Sequence, residues 1–359
     1  MKERKPSLLD FTQKELTELV KPSFRAKQIY GWLYHQYAQD FHEMKNIPKA
    51  MKEELGEKYL VNPMKIVRKE VSSDGTIKYL FELQDGKTVE TVWLKMKDAQ
   101  LDQNGELIQE AKYTVCVSTQ VGCKVGCSFC LTAKGGFTRD LTAGEIVAQV
   151  VNVKRDNNHK HNRKINIVYM GMGEPLDNLD NLTKAIKIFQ EEEGLAISGK
   201  RQTVSTSGLS NKIDMLGQMD LGVHIAISLH AVDDELRTEL IPMNKAHNIN
   251  SIIEAVKRFP IDTRKRVMFE YLVIKNKNDD LGSAKKLVKL LSGIKAKVNL
   301  IYFNPYPETP YERPSREDMI QFQEYLINHG LLSTIRDSKG IDISAACGQL
   351  KEKNQDEIK

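Results

Sequence analysis

The sequence predicts an α/β protein: a partial (β/α)6 barrel, preceded by a small N-terminal helical domain and a β-hairpin linker. Three observations carry this. From Tyr113 onward, short runs rich in β-branched residues alternate with longer stretches of helical periodicity, the pattern of repeated βα units around a parallel sheet. Just before it, two alternating runs, Thr76 to Leu83 and Thr88 to Leu94, flank Asp85-Gly86, a hairpin turn dipeptide. Earlier still, apolar residues recur at helical spacing in Glu15 to Val20 and Gln28 to Tyr34. A length of 359 residues, 40% hydrophobic and 28% charged, suffices for one large domain beside a small one.

The boundaries follow from these patterns: a helical domain over 1–75, hairpin and linker over 76–112, the barrel over 113–350 and a polar tail over 351–359. In the first segment Pro22 and Pro48 punctuate the helices. There Phe24-Arg25-Ala26-Lys27-Gln28 sets cations beside Tyr30, Trp32, Tyr34 and Tyr37, aromatics that either stack on RNA or fill a small core. The polar stretch Lys95 to Lys112, with Asn104-Gly105, reads as a loop insertion.

Six barrel strands are expected at Tyr113 to Ser118, Ile165 to Met172, Thr203 to Thr206, Val223 to Leu229, Val267 to Ile274 and Val298 to Phe303. Between them, Thr142 opens a helix to Lys154 with Glu145 three residues on, a capping box. A second helix spans Ser283 to Ser292, with Lys285, Lys286 and Lys289 reading as a solvated face. The basic tract Lys154 to Lys164 is either a plain surface loop or a phosphate contact.

A net charge of +5 is compatible with an RNA partner without announcing one. No apolar run approaches the ~18 residues needed to span a bilayer. Five cysteines, three of them bunched, argue against a secreted disulfide framework and for a reducing, cytoplasmic setting.

The bunched cysteines are Cys123-Lys-Val-Gly-Cys127-Ser-Phe-Cys130, a C-x3-C-x2-C loop directly after the first barrel strand. Catalytic groups of βα folds sit at the C-terminal ends of strands. Three thiolates suit an iron–sulfur cubane with one iron open to an amine and a carboxylate, such as those of S-adenosylmethionine. A zinc site completed by His159 or His161, and unligated buried thiols, are the competing readings.

Further small or polar groups stand where later strands meet loops: Gly171-Met-Gly173-Glu174-Pro175, Ser205, Ser228-Leu229-His230 and Asn304. Singly each is an ordinary cap or turn residue; together they favour one shared polar site. Cys116 and Cys347 are by themselves inert buried thiols. The small neighbours Ala345, Ala346 and Gly348 nevertheless leave Cys347 in an uncrowded segment from which its sulfur could reach a substrate. Glu90, in a hairpin strand, reads as a solvated edge charge.

The cysteine run, with Phe129 before its third cysteine, resembles the signature of the radical S-adenosylmethionine superfamily. Phe24 to Gln28, Val89 to Val92, Cys116 to Gly136, Gly171 to Leu176, Ser228 to His230, Phe303 to Pro305 and Gly340 to Leu350 resemble the RlmN family in particular. That family methylates C2 of an adenine in 23S ribosomal RNA and, in many members, in transfer RNA. The resemblance implies a 4Fe-4S cluster on Cys123, Cys127 and Cys130 and two molecules of S-adenosylmethionine per turnover. It implies cofactor contacts from Phe129, Gly173, Glu174, Ser205, Ser228, Leu229, His230 and Asn304, RNA binding by the N-terminal domain, and a flavodoxin-like external electron donor.

By the resemblance its catalytic residues fall on Cys347, which carries a methyl group from which a 5′-deoxyadenosyl radical takes hydrogen so that the resulting carbon radical adds to C2; on Cys116, which releases the product and pairs with Cys347 in a disulfide; and on Glu90, the family's proton acceptor. The sister Cfr family, which methylates C8, tends to have Ala-Thr-Gly after the third cysteine and Ala after Gly-Met-Gly-Glu. Here Leu131-Thr-Ala-Lys and Pro175 stand at those places, which favours C2. A cluster- or zinc-containing RNA-binding protein without catalysis is the alternative from another class.

Overall fold

A ten-stranded sheet organises the computed structural model, which describes residues 4–262, 265–307 and 309–351. Strands β1 (Met64–Val71), β2 (Ile77–Leu83) and β3 (Thr88–Lys97) form an antiparallel meander. After a small ribbon, β4 (Gln100–Leu101) with β5 (Leu107–Gln109), strand β6 (Lys112–Cys116) joins β3 antiparallel. A second ribbon, β7 (Gln120–Gly122) with β8 (Phe137–Asp140), brackets the cysteine loop. The remaining strands are β9 (Asn166–Tyr169), β10 (Gln202–Thr206), β11 (His224–Ser228), β12 (Val267–Val273), β13 (Ala296–Tyr302) and β14 (Ser333–Arg336). From β6 to β14 every neighbour pair in the sheet is parallel. Val204, Ile225, Ile227, Val298 and Leu300 are fully buried, as parallel strands covered on both faces require.

The six expected barrel strands are thus present, and three departures are informative. Strand β1 falls inside the stretch taken as helical to residue 75; it is the edge of the sheet and mostly exposed or half-buried, so its sequence lacks the alternation of a strand packed on one side. Strand β14 adds a seventh parallel strand, four residues long and too short to register as a pattern. The Lys95 to Lys112 stretch is partly strand.

The capping box at Thr142 is formed: Glu145 N–H donates to Thr142 Oγ1 at 3.1 Å and Thr142 N–H to Glu145 Oε2 at 3.0 Å, opening the helix Ala143–Asp156. The N-terminal turn Leu8–Asp10 packs against it, and the helices Gln13–Leu19, Ser23–Tyr34 and Lys49–Lys58 share its hydrophobic core. Tyr30, Tyr34 and Tyr37 are buried in the common core, which settles their reading as packing residues, while Phe24 remains 51% exposed with the Arg25 guanidinium 4.8 Å from its ring. The basic tract folds on itself: Lys154 is fully buried, its Nζ donating to Arg163 O at 3.1 Å, and Arg155 pairs with Glu43. Lys154 is therefore not a phosphate contact. Lys285, Lys286 and Lys289 are exposed on the helix Leu281–Leu290. Among the described residues no helix is long and apolar enough to cross a membrane.

Glu191 joins the two domains by accepting the Gln13 N–H at 2.9 Å and the Tyr30 hydroxyl. Burial pushes its pKa up to about 7 from 4.5. Because the folded value is the higher one, the native state holds the extra proton between those values, and stability present below pH 4.5 is lost as pH rises through 7. Thermal melts should therefore show Glu191→Gln more stable than the parent at pH 8, by about 1–3 °C, with no advantage at pH 4.

Candidate functional site

The cysteine loop is shaped by its own backbone before any ligand arrives. Gly122, at φ +74°, closes β7; a Cβ there would lie 2.0 Å from Gly136 O, so no other residue lets the ribbon cross at this point. Cys123 N–H donates to Gly136 O at 2.8 Å, Ser128 N–H to Leu240 O at 3.0 Å and Cys130 N–H to Cys127 O at 3.2 Å. These bonds set Cys123, Cys127 and Cys130 around one end of a cleft.

Opposite the thiols lies the turn after β9. A Cβ on Gly171 would be 2.7 Å from Ser118 Oγ, and one on Gly173 (φ +103°) 2.6 Å from Gln120 Cβ, so both glycines are needed for the backbone to pass. The turn delivers Glu174 into the cleft wall. Its Oε2 accepts the Ser207 N–H at 2.7 Å and its Oε1 the Leu176 N–H at 3.1 Å; burial raises its pKa against these bonds.

Phe129, Gly173, Glu174, Ser205, Ser228, His230 and Asn304 all border this cleft. His230 (φ +59°) accepts the Leu272 N–H at Nδ1, 3.0 Å away, and meets Phe129 edge-on with ring centres 5.0 Å apart. Burial, then the charge of Arg237, drives its pKa down to about 3, so the ring is neutral with its proton on Nε2. Leu229 is the exception: it does not line the cleft, and its backbone N–H and C=O are taken by Glu270 O and Arg237 Nε.

The fold also contributes residues that the motifs do not reveal. Glu270 on β12 borders the cleft with Oε2 buried and unpartnered, and Asn304 Nδ2 is in the same condition. Arg237 is wholly buried behind the strand ends, donating to Ser207 O (2.5 Å), Ser228 O (3.1 Å), Leu229 O (3.1 Å) and Asn244 Oδ1 (2.8 Å).

A second cavity of about 660 Å³ adjoins the first. Cys116, at the end of β6, and Cys347, far along the chain, both line it, and Cys347 borders the first cavity as well. Both are free thiols. The Cys347 side chain is reachable by solvent from the cavity although protein surrounds it, and burial raises its pKa while Arg336 opposes the shift. Burial likewise pushes the Cys116 thiol up to about 12, reinforced by Cys347 and opposed by Arg336. Arg336, on the strand missed in the sequence, lines the same cavity.

Glu90 departs from its reading as a solvated edge charge. Strand β3 is paired on both sides, by β2 and β6, and Glu90 is 1% exposed, 3.5 Å from Lys78 Nζ. It borders neither cavity.

The donor set fits the expected cofactors. Burial pushes the Cys123 thiol up to about 12 and raises the Cys127 thiol well above its usual value, so a cationic partner must hold them as thiolates. A cubane would bind each of the three thiolates at a separate iron. The glycine cradle and the unpartnered atoms of Glu270 and Asn304 leave polar capacity for a ligand beside it.

Comparison with known proteins agrees with this geometry. The radical SAM superfamily pattern matches residues 117–288, and the ribosomal RNA large subunit methyltransferase N-terminal domain matches residues 7–61. The chain is 84% identical to the dual-specificity RNA methyltransferase RlmN of Sulfurimonas denitrificans over 99% of both chains. It is 65% identical to that of Aliarcobacter butzleri over 98% of both. A crystal structure of a radical SAM methyltransferase from Sphaerobacter thermophilus superposes with a TM-score of 0.88 at 43% identity, covering 96% of this chain and 99% of that one. On these matches the chain belongs to the RlmN family of radical S-adenosylmethionine RNA methyltransferases, which use a 4Fe-4S cluster and S-adenosylmethionine.

Proposed function

We propose that this enzyme methylates C2 of an adenine in 23S ribosomal RNA and in transfer RNA, carrying the new carbon on Cys347. The observation that carries the reading is the meeting of Cys116 and Cys347 in one cavity, with Cys347 also facing the cleft of the three cluster thiols. Adenine C2 is an electron-poor carbon without a nucleophilic lone pair, closed to ordinary methyl transfer. The cluster on Cys123, Cys127 and Cys130, with bound S-adenosylmethionine, supplies the radical chemistry that such a carbon needs.

The protein's own groups divide the remaining work. Glu174 would accept from the cofactor's ammonium, Phe129 would pack beside its adenine, and Ser205, Ser228, neutral His230 and Asn304 would offer hydrogen bonds along the cleft. Cys347 stands at the junction of the cavities, able to take a methyl group from one side and present it to a base on the other. Cys116 takes the C2 proton of the adduct, whose unpaired electron would pass back to the cluster; its sulfur then displaces the RNA-borne carbon from Cys347, an S–S bond forming as the C–S bond breaks and the proton passing to that carbon to complete the methyl group, and thiol exchange reopens the disulfide. Arg336 offsets the cost of thiolate character at both sulfurs.

Recognition rests on RNA shape and an extruded base, assisted by the N-terminal helices, where Phe24 is exposed beside the half-buried Arg25. A flavodoxin-like protein delivers electrons. Free thiols and an RNA substrate suit a reducing cytoplasm.

The test is incubation of the reconstituted enzyme with reductant, S-adenosylmethionine and a transcript of the ribosomal adenine loop or transfer RNA, followed by nucleoside analysis. The expected product is 2-methyladenosine with 5′-deoxyadenosine. Formation of 8-methyladenosine would move the assignment to the sister chemistry, and cofactor cleavage without any methylated base would sink it.

A further inference from the structure

Cys347 sits on a segment with little internal support. Seven residues, Ser344 to Leu350, separate Ile343 from Lys351, and none of them is helical or extended in the sheet. Gly340, Ser344 and Gly348 have φ of +63°, +52° and +81°, so the chain doubles back repeatedly. Such a loop cannot by itself keep one sulfur at the boundary of two cavities.

The support comes from the hairpin. Lys78 on β2 pairs with Glu90 on β3 at 3.5 Å, the two side chains 4% and 1% exposed, and with the half-buried Glu70 on β1 at 3.2 Å. Lys78 Nζ donates to the Ile343 carbonyl at 2.5 Å, where the loop begins. Glu90 Oε2 accepts the Lys351 N–H at 3.0 Å, where it ends. The two partners of one buried pair therefore hold the two ends of the Cys347 loop. Outside them the β1–β2 turn adds a second tier: Ser72 Oγ donates to Asp342 Oδ1 at 2.6 Å, Ser73 N–H to Asp342 Oδ2 at 3.1 Å and Gly340 N–H to Asp74 Oδ2 at 3.0 Å. On the inner side, Leu131 N–H donates to Gly348 O at 2.8 Å and Thr132 Oγ1 to Leu350 O at 2.5 Å, tying the loop to the residues just after Cys130.

An ion pair taken out of water is a poor way to add stability alone, because desolvation offsets its attraction. Here each partner spends hydrogen-bonding capacity on the same loop. Register adds a second point: Val92 pairs with Cys116, so Glu90 shares the sheet face of Cys116, yet it borders neither cavity while Cys116 does.

We propose that Lys78 and Glu90 form a clasp that fixes the Cys347 loop at the junction of the two cavities, and that Glu90 is a positioning residue, not the acceptor of the C2 proton. The inference rests on Cys347 as methyl carrier, but its first readout does not need that chemistry. In the protein before iron and sulfide are added, alkylation of Cys347, followed by mass spectrometry of its peptide, should run about tenfold faster in Lys78→Met and Glu90→Ala than in the parent. Glu90→Gln keeps an oxygen to accept the Lys351 N–H and should stay nearer the parent.

In the loaded enzyme without RNA, methylation of Cys347 should fall in the same two variants, and Glu90→Gln should exceed Glu90→Ala by about tenfold. An unchanged alkylation rate in Lys78→Met would overturn the clasp. So would normal Cys347 methylation in Glu90→Gln with covalent protein–RNA adduct accumulating, since that is the signature of a missing base. Should Lys78→Met fail to fold, the surface variant Asp342→Asn carries the test through the outer tier, where no acceleration of alkylation overturns the proposal. If the parent methylates Cys347 but leaves RNA unmodified, the C2 reading fails while the alkylation result still decides the clasp.

Discussion

Cys347→Ala abolishes RNA methylation, a loss of at least about 10³-fold, while the iron and sulfide content and the melting temperature stay near those of the parent. The side chain faces a cavity and supports no packing that the alanine lacks, and none of the cluster thiols depends on its sulfur. Cys116→Ala should stop the reaction later. Methyl transfer onto Cys347 proceeds, the carbon joins the base, and without the second thiol the protein remains bound to RNA; a denaturing gel would show the adduct. Cys116 is buried, so this variant also loses about 1 kcal/mol through a small cavity. The contrast separates two thiols that share one cavity. If Cys116→Ala released methylated RNA at the parent's rate, or Cys347→Ala still methylated it, the division of labour would be wrong.

Arg237→Met destabilises the fold by about 3–5 kcal/mol and lowers the melting temperature by about 10 °C. The guanidinium is fully buried and is the donor to three strand-end carbonyls and the Asn244 side chain. Methionine fills the volume but leaves those oxygens buried without donors, each costing about 1–3 kcal/mol. Burial lowers its pKa only to about 10, so at neutral pH it remains a cation, and it stands near Cys127. Because Ser207 and Ser228 carry the wall of the cofactor cleft, affinity for S-adenosylmethionine falls with stability. A melt unchanged in Arg237→Met would show that the bonds are dispensable.

Much of the site could be read from residue order because its chemistry is local. Ligand spacing in Cys123 to Cys130 is a property of one loop, and the glycines at 171 and 173 mark a tight passage whatever surrounds them. The periodicities of the parallel strands were equally plain, since strands buried on both faces are apolar throughout. Strand β1 lacks that signal because it lies at the sheet's edge, and β14 because it is only four residues long. With β14 went Arg336, whose role depends on reaching two thiols from a distant part of the chain.

Glu90 shows the limit most clearly. In sequence it is an acid in a hairpin strand, the profile of a solvated charge; only pairing of β3 on both sides buries it and brings Lys78, Ile343 and Lys351 around it. Leu229 shows the converse, a motif residue whose side chain and backbone packing committed elsewhere. By itself, then, the sequence determined the βα architecture, the three-thiol loop and the polar wall, because each depends on neighbours a few residues apart. The tertiary structure decided which thiols meet, which acid is buried and what holds the Cys347 loop, because those outcomes are set by desolvation and by contacts between residues hundreds of positions apart.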